Sequence, residues 1–330
     1  MKKSWKKRLT YGLNLAGPFL GLILVYLVFL ALAPAFSSVY NTKTILTQAV
    51  IIGIGALGMT LVIISGGIDL SAGSLIALGT VITGLVLRDM SPVDGPSIGL
   101  PLVAALAAVA VCAFSAFISG TIIVGLRIVP FIVTLGMMQI ARGVAKGLAD
   151  QTMVNTPRNW LENLMIVEPT RGVWYSVAPA VWIMVLLAAL MFVVLRYTVF
   201  GRHIYAVGSN DDTARLCGVR VGLTRLAVFI CYGALVGVAS VMQYSNLTLG
   251  DPTAAEGMEL DIIAAVVIGG GSLSGGEGSV VGSLAGALIM AVLRNGCQLL
   301  AIPNYVQNIV IGAIIIVAVG VDRFKHGKQI

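Results

Sequence analysis

Long uncharged runs dominate the chain and leave few ways to fold it. Gly17–Ala33 reads GPFLGLILVYLVFLALA, and Val173–Leu195 also carries no charge. Runs near 20 residues match the hydrocarbon thickness of a bilayer. With no water there to pair amides and carbonyls, such runs must be helical. The 330-residue chain is 58% hydrophobic and only 11% charged, far from the balance of a soluble domain. An all-α integral membrane protein is expected. Windows of span length place about ten transmembrane helices, near 14–33, 45–64, 70–87, 99–126, 130–148, 173–195, 226–247, 260–271, 279–293 and 304–321. The eighth is too short to cross alone.

The basic residues orient these spans. Lys2, Lys3, Lys6, Lys7 and Arg8 precede the first run, which is too long for a signal-peptide core and is expected to be retained. With the N-terminus cytoplasmic, Arg127, then Arg196, Arg202, Arg215, Arg220 and Arg225, and finally Arg323, Lys325 and Lys328 also fall inside. That puts fourteen of the 21 Lys and Arg residues on that side. Both termini are then cytoplasmic, 149–172 is an external loop and 196–225 the main internal one. The net charge of +7 is thus an orientation signal rather than a nucleic-acid footprint. Cys112, Cys217, Cys231 and Cys297 have no pairing or metal-ligand spacing and read as small apolar filler. Gly143/Gly147, Gly233/Gly237 and Gly278/Gly282/Gly286 are small-residue ridges suited to close helix packing.

One apolar segment is broken. Val62–Ser74 reads VIISGGIDLSAGS, and Val266–Ser279 reads VVIGGGSLSGGEGS. With one inserted residue, Gly66 and Gly67 align with Gly270 and Gly271, and Gly73-Ser74 with Gly278-Ser279. Each break is followed by an apolar helix ending in an arginine, Arg88 or Arg294. This is an internal repeat of glycine-rich helix breaks. Irregular backbone at membrane depth is tolerated only inside protein or beside water, and Ser71, Ser74, Ser272 and Ser274 are placed to satisfy freed backbone groups. Paired breaks in corresponding halves point to a transport path. The other reading makes both breaks tight cytoplasmic turns, with Asp69 capping a helix that starts near Leu70. Capping explains Asp69 more simply than substrate contact. Glu277 has the same two options, with solvent favoured. No titratable partner recurs nearby to make either a proton relay.

The internal loop carries the second signal. Phe200–Val219 reads FGRHIYAVGSNDDTARLCGV. Ser209 or Asn210 can cap a helix whose first turn holds Asp211 and Asp212, and Gly218 fits the left-handed position just past its end. A helix of two turns is marginal alone and needs a surface to hold it, which favours docking.

SGGIDLSAGS, FGRHIYAVGSNDDTARLCGV and ELDIIAAVVIGGGSLSGGEGSVVGSLAGALI (Glu259–Ile289) together closely resemble the permease subunits of bacterial ABC importers for monosaccharides, the ribose/xylose/arabinose/galactoside group. The resemblance runs from about residue 45 to 322. It implies a single transmembrane permease domain over 1–330 in the bacterial inner membrane. Its implied partners are a cytoplasmic ATPase that holds the ATP-Mg, an external (periplasmic or extracellular) sugar-binding protein, and a second permease copy. No cofactor is implied on this chain. Gly208–Val219 would be the helix that couples to the ATPase. Gly208, Asn210, Ala214, Arg215 and Gly218 match the family pattern, while Ser209 replaces a usual glycine, Cys217 a common serine and Gly271 a usual threonine.

ATP-driven alternating access is the mechanism expected, with movement passing through the 211–217 helix to the sixth and seventh spans. A sugar path needs hydroxyls and amides, and Asn246, Ser245, Gln243, Gln139 and Thr134 are candidates, each equally able to join helices. An ion-coupled secondary transporter is the alternative, although it gives the capped cytoplasmic helix no purpose. His203 and His326 are the only histidines, and no nucleophile, base or metal cluster accompanies them, so an enzyme is not expected.

Overall fold

The computed structural model describes residues 2–92, 98–168 and 176–326. In chain order its helices are α1 (Lys2–Leu32), α2 (Val39–Ile64), α3 (Ala72–Met90), α4 (Leu100–Leu126), α5 (Pro130–Leu148), α6 (Pro179–Tyr197), α7 (Val199–Ser209), α8 (Asp211–Leu216), α9 (Val221–Leu247), α10 (Met258–Ile268), α11 (Val280–Leu299) and α12 (Asn304–His326). Short 3₁₀ turns occupy Pro34–Ser37 and Trp160–Met165. Among the described residues there is no β-strand, only an isolated antiparallel bridge between Val154 and Gly250.

Six helices are long and apolar enough to cross a membrane: α2, α3, α4, α6, α9 and α11. The chain is a multi-pass helical membrane protein. The windows at 14–33, 130–148, 260–271 and 304–321 also fall on helices, but outside these six. α5 carries Gln139, Arg142 and Lys146, and α10 has only 11 residues. Lys328, residues 169–172 of the expected external loop and 173–175 of the expected sixth span lie outside the described residues.

Position in the bundle follows from apolar pattern. α2 is apolar on every side, and each residue from Ala49 to Ser65 is buried. A helix of that kind belongs at the centre. It lies between α9, α11, α10 and α6, while α3 packs on α4, α9 and α5. α1 closes against α11, and α12 against α10.

Lipid gives helices little hydrophobic reason to associate, so close van der Waals fit must hold them together. Two glycine ridges supply it. A β-carbon at Gly233 would lie 2.7 Å from the Cys112 carbonyl oxygen on α4, and one at Gly286 would overlap the Ala265 carbonyl on α10. The third ridge differs: β-carbons at Gly143 and Gly147 would meet nothing within 4 Å. α5 thus leaves its small-residue face open.

That difference is testable by thermal melting of the detergent-purified chain. Gly286→Ala should cost about 1–3 kcal/mol through overpacking. Gly143→Ala should leave the melting temperature unchanged or slightly raised, since alanine is the better helix former.

Candidate functional site

Both broken helices end in the same hydrogen-bond pattern. At the end of α2, Gly66 (φ +81°) donates to Ile63 O at 3.0 Å and Gly67 donates to Val62 O at 2.9 Å. At the end of α10, Gly270 (φ +90°) donates to Val267 O and Gly271 to Val266 O, each at 2.9 Å. This is the Schellman termination, which needs a left-handed residue and therefore favours glycine. The restarts differ. α3 begins after Ser71 and α11 after Ser279, whose hydroxyl accepts from Gly282 N at 3.1 Å. The sequence pairing of Gly73-Ser74 with Gly278-Ser279 therefore sets a helix interior against a helix start.

The first break is a short irregular run stapled into the bundle, longer than a tight turn. Asp69 is fully buried, and its Oδ1 accepts from both Ser71 N and Ser71 Oγ at 2.6 Å. This local turn delays the helix, which starts at Ala72 rather than Leu70. Thr134 of α5 closes the run from outside, its hydroxyl reaching Ile68 O at 3.2 Å and accepting from Leu70 N at 3.3 Å. Asp69 Oδ2 and the Tyr232 hydroxyl are buried near one another, and among the described residues neither makes a hydrogen bond of good geometry. Ser74 is buried inside α3. In the second break, Ser272 N donates to Glu277 O at 3.1 Å, and Ser272 Oγ accepts from Ser274 N at 3.3 Å. Ser274 and Glu277 are exposed. At Gly271, a β-carbon would lie 2.7 Å from Val266 Cγ1, so a side chain there would need that valine to move.

The internal loop folds as two helices, not one. α7, which sequence reasoning missed, carries the chain from α6 to the underside of both breaks. There the three motifs meet. Gly276 N donates to Ile64 O at 2.8 Å, joining the breaks backbone to backbone. A β-carbon at Gly208 would overlap that same Ile64 oxygen and lie 2.6 Å from Gly276 N. One at Gly275 would lie 2.6 Å from Gly208 O and 3.0 Å from Gly66 Cα. The Tyr205 hydroxyl donates to Gly278 O at 2.8 Å. Position 208 thus admits only glycine without separating the parts.

α8 hangs from this junction. Asn210, rather than Ser209, supplies the cap, its Oδ1 accepting from Thr213 N at 2.8 Å. Gly218 (φ +83°) ends the helix, with Val219 N donating to Ala214 O at 3.0 Å. Ala214 packs against Val207 and Val221, and an Arg225–Asp211 ion pair at 2.7 Å ties α8 to α9. Asp212, Arg215, Cys217 and Gly218 face outward, and Leu216 is 89% exposed. An apolar side chain so bare on so short a helix was not singled out from the sequence, where a leucine carries no signal of its own.

The remaining candidates are not gathered here. At the opposite end of the bundle, Ser245 accepts from Met165 N and donates to Glu162 O, both at 3.1 Å. Asn246 is exposed beside it, Gln243 is buried in α9, and Gln139 is exposed on α5. A second irregular stretch, 248–257, was also missed. It runs back along α3, where Asp251 N donates to Thr80 Oγ1 at 3.2 Å and the Ala255 carbonyl blocks the β-position of Gly73.

Asp69→Asn keeps an acceptor for Ser71 and should leave thermal stability nearly unchanged. Asp69→Leu strands two donors and should cost about 1–3 kcal/mol in the same melting assay.

Comparison with known proteins identifies the family. Residues 41–319 match the family described as the permease component of branched-chain amino acid transport systems. The ribose import permease protein RbsC of Escherichia coli K12 is 38% identical over 93% of this chain and 93% of its own length. RbsC of Bacillus subtilis is 36% identical over 94% and 92%, and the L-arabinose ABC transporter permease protein AraH of Azospirillum brasilense 32% over 94% and 88%. No solved structure matches the chain. Matched along most of its length, the chain belongs to this family of membrane permease components and is a transport subunit.

Proposed function

We propose that this chain is the membrane subunit of an ATP-driven importer for a monosaccharide, forming the path for a sugar handed over by an external binding protein. The observation that carries the reading is the junction at Gly208, where the exposed two-turn helix is joined through backbone contacts to both helix breaks. A partner ATPase gripping α8 would take Leu216 in a groove, with Arg215 and Asp212 beside it and Gly208, Ser209, Asn210, Asp211, Ala214 and Gly218 setting its pose. ATP and magnesium would reside on that partner alone. Relatives named for ribose, arabinose and fructose import support a monosaccharide as cargo.

In this reading the chain crosses the membrane ten times, with a repeat centred on the two breaks and both termini in the cytoplasm. The positive-inside count supports that orientation. A second copy would sit against the open face of α5, where Gly136, Gly143 and Gly147 have empty space before them.

Reconstitution in liposomes tests the reading. Labelled sugar should accumulate only with the ATPase, binding protein and ATP present; uptake on a proton or sodium gradient alone would refute it. Leu216→Asp and Gly208→Ala should each cut ATP-driven uptake at least roughly tenfold while the chain persists in the membrane, the first by placing a charge in an apolar contact and the second by prising the junction apart. Full uptake by both would refute the docking role.

A further inference from the structure

Arg142 sits in α5, six residues from its end, and a charge facing lipid there costs roughly 2.5–3.5 kcal/mol on insertion scales. It is half-buried, and its Nη1 donates to Pro252 O at 3.0 Å and Ala254 O at 2.8 Å. Among the described residues its other nitrogens have no protein acceptor. The carboxylates of Asp251, Glu256 and Glu259 all act on it electrostatically, yet none closes an ion pair with it within 4 Å.

The segment that Arg142 holds is the irregular stretch 248–257. Its contacts with Thr80 and Gly73 place it beside the first half of α3, within the depth spanned by the bundle. Non-helical backbone at that depth requires protein or water beside it. Its exposed members are Thr248, Thr253 and Glu256, the Thr253 hydroxyl donating to Asp251 Oδ1 at 2.7 Å, and Gln139 is exposed one turn before Arg142 on the same face of α5. Gln139 and Glu256 make no hydrogen bond to the described residues. Lipid cannot solvate a guanidinium, a carboxylate and an amide together, so where the second copy leaves it uncovered this surface faces a wet space. By contrast, Thr134 and Ser245, which the sequence offers for a path, are occupied with backbone groups.

We propose that Gln139, Arg142 and Glu256 form one wall of the sugar path and bind the hydroxyls of the passing sugar. The proposal rests on the importer reading above. A planar guanidinium offers two parallel donors to neighbouring hydroxyls, a carboxylate accepts from them, and the amide does both. An uncharged polyol needs that alternation of donors and acceptors.

The test uses the assembled importer in liposomes, with labelled D-ribose, L-arabinose and D-fructose as probes. Gln139→Ala and Glu256→Gln should each lower uptake, or shift the ratio among the three sugars, by roughly tenfold, the weight of one lost hydrogen bond. The melting temperature should not move, because neither side chain is hydrogen-bonded among the described residues. Arg142→Lys keeps the charge but not the fork and should change the sugar ratio too. Wild-type rates and ratios in Gln139→Ala and Glu256→Gln would overturn the proposal, as would losses that track a fall in melting temperature. A wild-type importer that moves none of the three sugars would instead overturn the importer reading, and this wall with it.

Discussion

The carbonyl of Ile64 is the point on which the bundle turns. It ends the most deeply buried helix, accepts a hydrogen bond from the second break at 2.8 Å, and leaves no room for a side chain at Gly208. Three stretches far apart in sequence therefore touch through main chain, with the Tyr205 hydroxyl adding a side-chain bond to Gly278 O. Side chains absorb small displacements by changing rotamer, but backbone against backbone does not. A shift of α7 is passed to both breaks or the contact opens.

The rest of the architecture serves that contact. Schellman turns stop α2 and α10 at matching places, and Thr134 and the Asp69–Ser71 turn keep the first irregular run paired. Without them, unpaired backbone groups in an apolar surround would cost several kcal/mol each. The cost explains why a chain so apolar spends an aspartate, a threonine and several serines at these sites. α8 adds little stability of its own: its ion pair to Arg225 is partly exposed and contributes about 0–1 kcal/mol. Its role is to present a surface.

What the sequence made legible was local chemistry. Gly218 marks a left-handed helix end, Ser209 or Asn210 a cap, the paired glycines at 66–67 and 270–271 a break, and uncharged runs mark spans, because each depends on a few adjacent residues. The start of α3 was misplaced because Asp69 pairs with Ser71 in a turn before the helix instead of capping it at Leu70. Long-range facts were hidden: that Gly208 closes on Ile64, that 248–257 folds back beside α3, and that Arg142 braces it. α7 was missed because its glycines and polar residues resemble a loop until the breaks above it supply a surface. The three glycine ridges look alike in sequence, yet among the described residues only two find a neighbour.

A distance measured across the junction tests its rigidity most directly. Spin labels at the native Cys217 and at Ser274, both exposed, would report on α8 and the second break in the assembled importer, with the other three cysteines replaced. Pulsed electron resonance with and without trapped ATP should give one unchanged Cys217–Ser274 distance, while labels at Cys217 and Asn246 on opposite ends of the bundle change theirs. A Cys217–Ser274 distance that shifts with nucleotide would mean that α8 moves without carrying the break, and the junction would not be the link.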